Sequence, residues 1–546
     1  MVSAMHASDQ HGAAGDVADA EPVLAPEPEL AARSAVVRRA AAALAWMAGG
    51  GAVFTLLLLI TRGGTLSSDP SNQALQAWDL LHGNLWLHGW ILGDVTFYTF
   101  ELPLTAVLEA FFGLHPATMD LALALIYLAV AVCAVAVAVT DSRGASRAAR
   151  AGVSVAVLSA PILVASDRWV PLGLPDHTGT TVFVLVSVLL IDRALSWRWT
   201  PPLLCLILSA GQLSDVTVRY VAVPAIAVVC LYRTLEARRI RTADTASLVG
   251  AVLSIPLSLA IRRVMLHFGA YLMVTPNTSF APVSAWSHNL SLTWHALRTL
   301  FGQVSGATAP PASAVTAVFG TCCMLAVAAG LARVVWRWRS ASRAEQLLTV
   351  LIVISIGSYA VSTLPQPESQ HDIVTVLVAG AVLAARALVP ARIGGPLLAV
   401  VACVATAVVA LLPLSTVAAQ AKANSGRYPA LTAWLHDHGL NYGLADYWYS
   451  SVISLESGDQ VEVRSVKLTG SQITQYAWEM DSAWYDPDRN DATFILIAKR
   501  DAALGQAAIR IFGRPVSEHR VQGIDVLVYN KNLLEQVKPP WRPHLS

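Results

Sequence analysis

The chain has few charged residues and almost no lysine. Only 13% of its 546 residues are charged and 55% are hydrophobic, whereas about 25% of a typical globular protein is charged. Its five lysines all follow Gln420, so arginine supplies every other basic side chain. The net charge of +1 indicates no particular partner, and no basic patch of the kind that binds nucleic acid is present. This composition excludes an ordinary soluble protein and indicates a membrane protein.

Cysteine is also scarce, and it occurs only in apolar stretches. The segment after Gln420 contains none, so it has no disulfide bond of its own. No CxxC pattern of the kind found in zinc sites is present either. These absences identify no cofactor, and they leave open whether a divalent metal ion takes part in function. The six cysteines are Cys133, Cys205, Cys230, Cys322, Cys323 and Cys403.

Eleven apolar stretches between Ala40 and about Ser415 are long enough, or nearly long enough, to cross a bilayer. A membrane-spanning helix takes about 20 residues with few charges. The sequence therefore predicts a polytopic α-helical membrane protein with about 11 transmembrane helices and a small external C-terminal α/β domain. The clearest windows are Ala43–Thr61, Leu121–Thr140, Ala314–Arg333 and Gly395–Ser415.

The arginines fall mainly between alternate pairs of these stretches, which predicts the orientation. Cytoplasmic loops are enriched in basic residues, and the basic side here includes the segment just before the first stretch, with Arg38 and Arg39. We therefore expect a multi-pass plasma-membrane protein with a cytoplasmic N-terminus and an extracytoplasmic C-terminal domain. The predicted divisions are a disordered cytoplasmic tail (1–35), a transmembrane domain (36–419) with external loops 62–120 and 262–311, and an external α/β domain (420–546).

Periodicity predicts the elements outside the spans. Aromatic residues spaced among apolar ones favour an interfacial helix in the loop 262–311. Alternation of polar and apolar residues predicts strands after Gln420, and helical spacing predicts two helices there. The predicted elements are the strands Gln460–Leu468, Ala492–Ala498 and Ile524–Tyr529 and the helices Tyr428–His438 and Ala502–Phe512.

The first external loop carries several acidic residues close to the membrane, where charge is costly. Its segment Asp69–Gly83 has the pattern of a helix, with Asp69 at the N-cap, Pro70 at the first helical position and Gly83 just past the end. Asp69 is then expected just outside the end of the first span, where a charged group can face a lipid headgroup. Asp79, Asp94 and Glu101 in the same loop are further candidates for binding the substrate or its phosphate.

The order of features in this loop resembles the beginning of the GT-C superfamily of membrane glycosyltransferases. An acidic residue after the first span is followed by a juxtamembrane helix ending in Leu81–Asn84 and by the stretch Phe97–Leu104. The resemblance implies a polyprenyl-phosphate sugar as donor. It also implies that Asp69 matches the acidic residue that the first external loop of these enzymes contributes to catalysis. Where the family often has Pro-Pro-Leu, this chain has Leu102-Pro103-Leu104.

Glycosyl transfer independently requires the residue types found here. A carboxylate is needed to deprotonate the acceptor hydroxyl, and a cationic group is needed to hold the leaving phosphate. Asp69 meets the first requirement, although a purely structural capping role is the alternative. Arg262 and Arg263 are the candidates for the second, since guanidinium groups suit phosphate. Their alternative role is to reach the lipid headgroups from the end of a span.

Two further pairs leave alternatives open. Asp176 and His177 could bind a divalent metal or orient a base, or Asp176 could cap the next span. Asp215 and Arg219 could form a structural ion pair four residues apart, or line a substrate cavity. Aromatic residues cluster in the last segment, where they could either stack on sugar rings or form a core. They include Tyr447, Trp448, Tyr449, Trp478 and Trp484.

The sequence therefore predicts a membrane glycosyltransferase that moves a sugar from a polyprenyl-phosphate donor to an acceptor on the external face. The expected partners are that lipid-linked sugar, an envelope glycan or protein as acceptor, and membrane lipids. The rival hypothesis is a transporter or scaffold without catalytic activity, whose external domain binds envelope components. A transporter is expected to show paired half-repeats with broken helices, and no such repeat is evident.

Overall fold

The computed structural model describes residues 28–162, 176–193, 198–238, 242–274, 278–303, 314–390, 418–419, 421–422 and 426–539. The chain divides into two compact units, Met1–Val53 and Phe54–Ser546. The first unit contains the beginning of helix α1 (Pro28–Arg62). The second unit contains all the other described elements, including the candidate site.

Most of the second unit up to residue 390 is helical. Long apolar helices alternate with shorter ones, and Ile60, Val130 and Leu377 are among their buried residues. The helices that follow α1 are α2 (Ser68–Leu81), α3 (Glu101–Phe112), α4 (Pro116–Ala138), α5 (Ala145–Ser159), α6 (Thr180–Arg193), α7 (Thr200–Ser214), α8 (Val223–Glu236), α9 (Thr242–His267), α10 (Trp286–Leu300), α11 (Ala314–Trp336), α12 (Arg343–Val361) and α13 (Val374–Leu388).

Seven helices in the described part of the chain are long and apolar enough to cross a membrane. They include Ala43–Arg62, Pro116–Ala138 and Ala314–Trp336, which match three of the four windows predicted from the sequence. The fourth window, Gly395–Ser415, lies outside the described residues. The prediction of a polytopic helical membrane protein is confirmed, whereas the count of eleven spans is not.

Two buried arginines tie the helices together around the end of α13. Arg386 Nη1 lies 3.1 Å from Asp192 Oδ2 and donates to the carbonyl of Val137 at 2.9 Å. Arg150 Nε donates to the carbonyl of Val389 at 3.0 Å. These bonds pair the buried guanidinium groups with acceptors on neighbouring helices, which offsets the cost of burying their charge.

Helix α10 confirms the amphipathic helix predicted within the loop 262–311. Trp286, Leu290 and Trp294 lie four residues apart and are exposed, so they share one face. The opposite face is buried, and there Asn289 Nδ2 donates to the carbonyl of Ser362 at 2.8 Å. An exposed apolar face beside the bundle is suited to the headgroup region, so that location stays a prediction.

The segment after residue 426 folds around a mixed six-stranded sheet. The strands lie side by side in the order β5 (Gln472–Gln475), β4 (Glu462–Thr469), β3 (Tyr442–Ala445), β7 (Phe494–Ala498), β9 (Ile524–Val528) and β8 (Ser517–Val521). Strand β3 is parallel to both β4 and β7, and the remaining pairs are antiparallel. The three strands and two helices predicted from periodicity all form here, with ends shifted by a few residues at most. The helices of this segment are α14 (Pro429–Asp437), α15 (Tyr447–Glu456) and α16 (Ala502–Phe512).

A second, three-stranded sheet joins this segment to the two long loops. Its central strand β1 (Trp90–Leu92) pairs in parallel with β2 (Leu272–Met273) and antiparallel with β6 (Met480–Asp481). The Trp90 and Trp484 rings pack edge to face, with centroids 4.9 Å apart. Residues far apart in sequence are thereby held around helix α2, which carries Asp69.

Candidate active site

Helix α2 carries Asp69 into a buried position. The helix begins at Ser68, so Asp69 lies in its first turn and the predicted N-cap role is wrong, because Ser67 occupies that position. A carboxylate in the first turn is still favoured by the partial positive charge of a helix N-terminus. Gly83 has a φ of +102°, the left-handed conformation predicted for the residue just past the helix end.

Asp69 shares the hydroxyl group of Tyr447 with a second carboxyl group. The Tyr447 hydroxyl donates to Asp69 Oδ1 and lies 2.8 Å from Glu479 Oε2. All three side chains are buried, and Asp69 is 9% exposed. A single phenol between two carboxyl groups stabilises one negative charge more readily than two.

Hydrogen bonds between α2 and α15 hold this arrangement. The Ser68 hydroxyl donates to the carbonyl of Tyr447, and the Ser451 hydroxyl donates to Asn72 Oδ1 at 2.5 Å. Asp446 caps α15 by accepting from the backbone N–H of Trp448. Tyr447 is therefore positioned by its own helix and by the helix that carries Asp69.

Burial raises the pKa of both carboxyl groups. It raises the pKa of Asp69 to about 6, with the Tyr447 hydrogen bond opposing the rise and the charge of Asp94 adding to it. Burial also raises the pKa of Glu479 well above its ordinary value, and the nearby charge of Asp69 raises it further. The negative charge of an ionised Asp69 therefore disfavours loss of the proton from Glu479, and the two carboxyl groups titrate as a coupled pair.

A second buried centre lies around His177. Its Nδ1 is 2.6 Å from Asp215 Oδ2, and its Nε2 is 3.3 Å from Asp372 Oδ1. Asp215 also accepts from the Thr180 hydroxyl at 2.7 Å and from the Thr217 backbone N–H at 2.8 Å. The histidine thus bridges the ends of α7 and α13, using both ring nitrogens.

Electrostatics keep His177 protonated between its two partners. Burial alone lowers its pKa, but the charge and hydrogen bond of Asp215, with those of Asp372, raise it well above its ordinary value. Burial alone raises the pKa of Asp215, yet the charge of His177 and three hydrogen bonds leave that pKa below its usual value. The centre is a compensated ion pair.

Asp94 and Asp176 are electrostatically coupled to both centres. Burial raises the pKa of Asp94, while the charge of His177 lowers it, and Asp94 in turn raises the pKa of Asp69. Burial raises the pKa of Asp176 well above its ordinary value, with Asp69 as the next cause. The structure therefore gathers Asp69, Asp94, Asp176 and His177, four of the predicted residues, into one acidic site.

Glu101 lies at the edge of this site beneath Gly179. A Cβ atom placed on Gly179 would lie 1.9 Å from Glu101 Oε1, so only glycine fits there. Glu101 is fully buried, and neither of its oxygens is hydrogen-bonded to another described residue. Burial raises its pKa to about 8. Glu101 is therefore mainly protonated at neutral pH, so it has no charge with which to bind a cation.

Asp79 does not join this group. It lies ten residues further along α2, or about 15 Å at 1.5 Å per residue. Its Oδ2 accepts from the Trp90 indole N–H at 2.8 Å and from Asn84 Nδ2 at 2.6 Å. These bonds fasten the turn after α2 to strand β1, so the predicted substrate-binding role of Asp79 becomes a structural one.

The two candidate phosphate-binding arginines occupy different environments near the end of α9. Arg262 is half-buried, its Nη2 donates to the carbonyl of Tyr271 at 2.9 Å, and its guanidinium lies 4.3 Å from the centre of that ring. Tyr271 packs on Tyr98, with ring centroids 5.3 Å apart. Arg263 is exposed on the outside of the helix. Of the two, Arg262 is therefore the one that is linked, through Tyr271, to the loop that carries Asp94.

The structural ion pair considered for Asp215 and Arg219 does not form. Asp215 pairs with His177 instead, and Arg219 Nε donates to Gln212 Oε1 at 3.2 Å.

No group of three or more His, Cys, Asp or Glu side chains in the described ranges could hold a metal ion.

Sequence reasoning missed three residues of the site: Tyr447, Glu479 and Asp372. The sequence places Tyr447 only among clustered aromatic residues, and Asp372 is not among the predicted site residues. Glu479 is an isolated acidic residue between Trp478 and Met480. Its place beside two apolar residues, in a segment predicted to fold, was the available signal.

The fold is similar to that of a protein of known structure. The chain is similar to the crystal structure of ArnT from Cupriavidus metallidurans bound to undecaprenyl phosphate, with a TM-score of 0.51 and 14% sequence identity. The match covers 91% of this chain and 99% of that chain. It confirms the resemblance to the GT-C fold predicted from the first loop. No protein-family model and no curated protein matches the sequence.

Proposed function

We propose that this chain is a membrane glycosyltransferase that takes its sugar from a polyprenyl-phosphate donor. The main support is the buried carboxyl group of Asp69, which accepts a hydrogen bond from Tyr447. It lies on a fold similar to that of a protein crystallised with undecaprenyl phosphate. Carboxylates of raised pKa in a polar site are typical of general bases. The acceptor is an envelope glycan or protein.

The proposed reaction is a single displacement. The ionised Asp69 takes the proton of an acceptor hydroxyl, and the freed oxygen forms a bond to the anomeric carbon of the donor sugar. The bond between that carbon and the phosphate oxygen breaks, and its electron pair leaves with the polyprenyl phosphate. Direct attack from the opposite side inverts the anomeric centre. Arg262 is the proposed partner of the phosphate, since Tyr271 links it to the Asp94 loop.

The reaction can be tested with the full-length chain in proteoliposomes. A panel of radiolabelled polyprenyl-phosphate sugars is supplied with membrane envelope extract as acceptor, and transfer of label is measured. We expect transfer from at least one donor and release of polyprenyl phosphate in equal amount. An absence of both transfer and donor cleavage across the panel, with the protein correctly inserted, would favour the non-catalytic hypothesis.

Replacing Tyr447 with phenylalanine is expected to move the pH dependence of transfer. The active form of Asp69 is ionised, so kcat/KM rises with pH through a pKa of about 6. The Tyr447 hydrogen bond lowers that pKa, so its loss shifts the acidic limb to higher pH. A pH profile of kcat/KM checks this.

Tyr449→Phe is the matched control for this experiment. Tyr449 lies on the same helix and is buried, and its hydroxyl has no hydrogen-bond partner among the described residues. Its variant should retain the wild-type profile. If the pH profile of Tyr447→Phe coincides with that of Tyr449→Phe, the Tyr447 hydroxyl does not affect the pKa of Asp69.

We also propose that the acidic site faces the outside of the cell, as the arginine distribution predicts. An alkaline phosphatase fused after Ser546 is expected to be active, and one fused at Ser146 is expected to be inactive. Phosphatase activity in intact cells measures both. The reverse pattern would place Asp69 on the cytoplasmic side and contradict the proposed orientation.

A further inference from the structure

The aromatic residues beside Asp69 differ in exposure. Tyr447 and Tyr449 are buried, whereas Trp448 between them is 43% exposed. Single exposed apolar residues are common on proteins, so exposure alone carries no meaning. The position of the Trp448 indole is informative, because Trp448 directly follows Tyr447, whose hydroxyl group bonds to Asp69.

The buried ring of Tyr447 packs against two neighbouring aromatic rings. The ring centroid of Tyr447 lies 5.3 Å from that of Trp448 and 5.0 Å from that of Tyr476. Tyr476 is half-buried, and the exposed Lys467 has its ammonium 5.0 Å from the Tyr476 ring centre. We call the group Tyr447, Trp448, Tyr476 and Lys467 the aromatic shelf.

The shelf belongs to the part of the chain that lies outside the candidate spans. All of its members fall between residues 426 and 539, where the described structure contains no candidate membrane helix. A polyprenyl chain requires an apolar, membrane-embedded path, so the donor lipid approaches from the helical bundle. The shelf therefore faces the other substrate, which arrives from the aqueous side.

The chemistry of the shelf suits a sugar ring better than a peptide segment. The C–H face of a pyranose packs on aromatic rings while its hydroxyl groups reach polar side chains, and Tyr and Trp present both surfaces. The Tyr447 hydroxyl also brings the shelf to the base itself. A sugar ring stacked on Trp448 would therefore lie beside the tyrosine that bonds to Asp69.

We propose that the aromatic shelf is the acceptor subsite and that the acceptor is a glycan. This inference rests on the proposed glycosyltransferase function. It assigns to Trp448 and Tyr476 the stacking of an acceptor sugar and to Lys467 the contact with a polar or anionic substituent of the glycan. Glycan recognition then resides in the segment after residue 426, whereas the donor is held by the helical bundle.

The test measures acceptor binding without turnover, in full-length protein carrying Asp69→Asn in detergent micelles. The probes are mannotriose, galactotriose, a sulfated galactose disaccharide and a serine-rich decapeptide, observed by saturation-transfer NMR. We expect saturation of sugar ring protons by at least one saccharide. Adding Trp448→Ala should weaken that binding about tenfold or more, whereas Trp448→Phe should retain most of it.

Trp434→Ala is the control, because Trp434 lies on helix α14 of the same segment and stacks on His438 with centroids 4.0 Å apart. It should leave saccharide binding unchanged. Saccharide binding that survives Trp448→Ala, or no saccharide binding at all, would overturn the proposal. Peptide binding that depends on Trp448 would also overturn it, in favour of a protein acceptor.

Donor cleavage separates failure of the subsite from failure of the proposed function. Slow hydrolysis of the polyprenyl-phosphate sugar in the absence of acceptor requires Asp69 but not Trp448. We therefore expect Trp448→Ala alone to hydrolyse donor at the wild-type rate while its KM for the saccharide acceptor rises. Donor cleavage with no Trp448 effect contradicts only the subsite, whereas an absence of cleavage in the wild type contradicts the function.

Discussion

Replacing Asp69 with asparagine is expected to reduce sugar transfer by about 10²- to 10⁴-fold, the usual contribution of a general base. Asparagine has nearly the same shape and still accepts the Tyr447 hydrogen bond. It cannot take a proton from the acceptor, however, and it carries no charge to stabilise the transition state. The measurement is kcat for transfer from a lipid-linked donor, with melting temperature recorded alongside.

The fold of the Asp69→Asn protein should be preserved, because burial already disfavours the charged form of this side chain. Removing a buried charge lowers the desolvation cost, so the melting temperature should stay the same or rise. Asp79→Asn on the same helix is the control for activity, since Asp79 only fastens the turn to Trp90. Full activity of properly inserted Asp69→Asn protein would exclude the residue from the mechanism.

Replacing His177 with asparagine is expected to destabilise the folded protein by about 3–5 kcal/mol, the range for breaking a buried ion pair by removing one partner. The change leaves the buried carboxyl group of Asp215 and the partly exposed carboxyl group of Asp372 without their shared cation. Asparagine is preferred to alanine here because His177 has a φ of +56°, a conformation that asparagine tolerates. The loss thus reports the missing charge rather than backbone strain.

Unfolding by graded SDS in mixed micelles, followed by circular dichroism, measures this loss. The control is a triple variant that combines His177→Asn with Asp215→Asn and Asp372→Asn. It lacks the uncompensated charges, so it should be more stable than His177→Asn alone. Equal stabilities of the single and triple variants would mean that packing, and not charge, accounts for the effect.

The helical elements of this protein follow from local pattern. Apolar runs of about 20 residues specify spans wherever the chain lies in a bilayer, because each backbone polar group must be paired within its own helix. Helix α2 was recognisable from Pro70 and Gly83, whose backbone preferences act within a few residues. The prediction placed the N-cap at Asp69, two positions after the observed cap Ser67, because serine and aspartate both cap helices.

The strands after residue 426 were likewise predictable, since alternation shows which face of each strand is buried. Ala502–Phe512 forms the helix at the predicted residues. The pairing order of those strands was not predictable, because it depends on contacts between segments distant in the chain. The segment Tyr447–Tyr449 was ambiguous for the same reason, as an aromatic residue has the same local pattern in a core and on a binding surface.

By itself, the sequence determined the membrane class, the helix that bears Asp69 and the importance of the acidic first loop, since hydrophobicity and helix punctuation are local properties. Only the tertiary structure decided which groups meet that carboxyl group. Tyr447 lies 378 residues from Asp69 in the chain, and His177 finds Asp215 and Asp372 at the ends of two other helices. Acidity and charge pairing depend on burial and on distances of a few ångströms, and these exist only once the helices and the sheet have packed together.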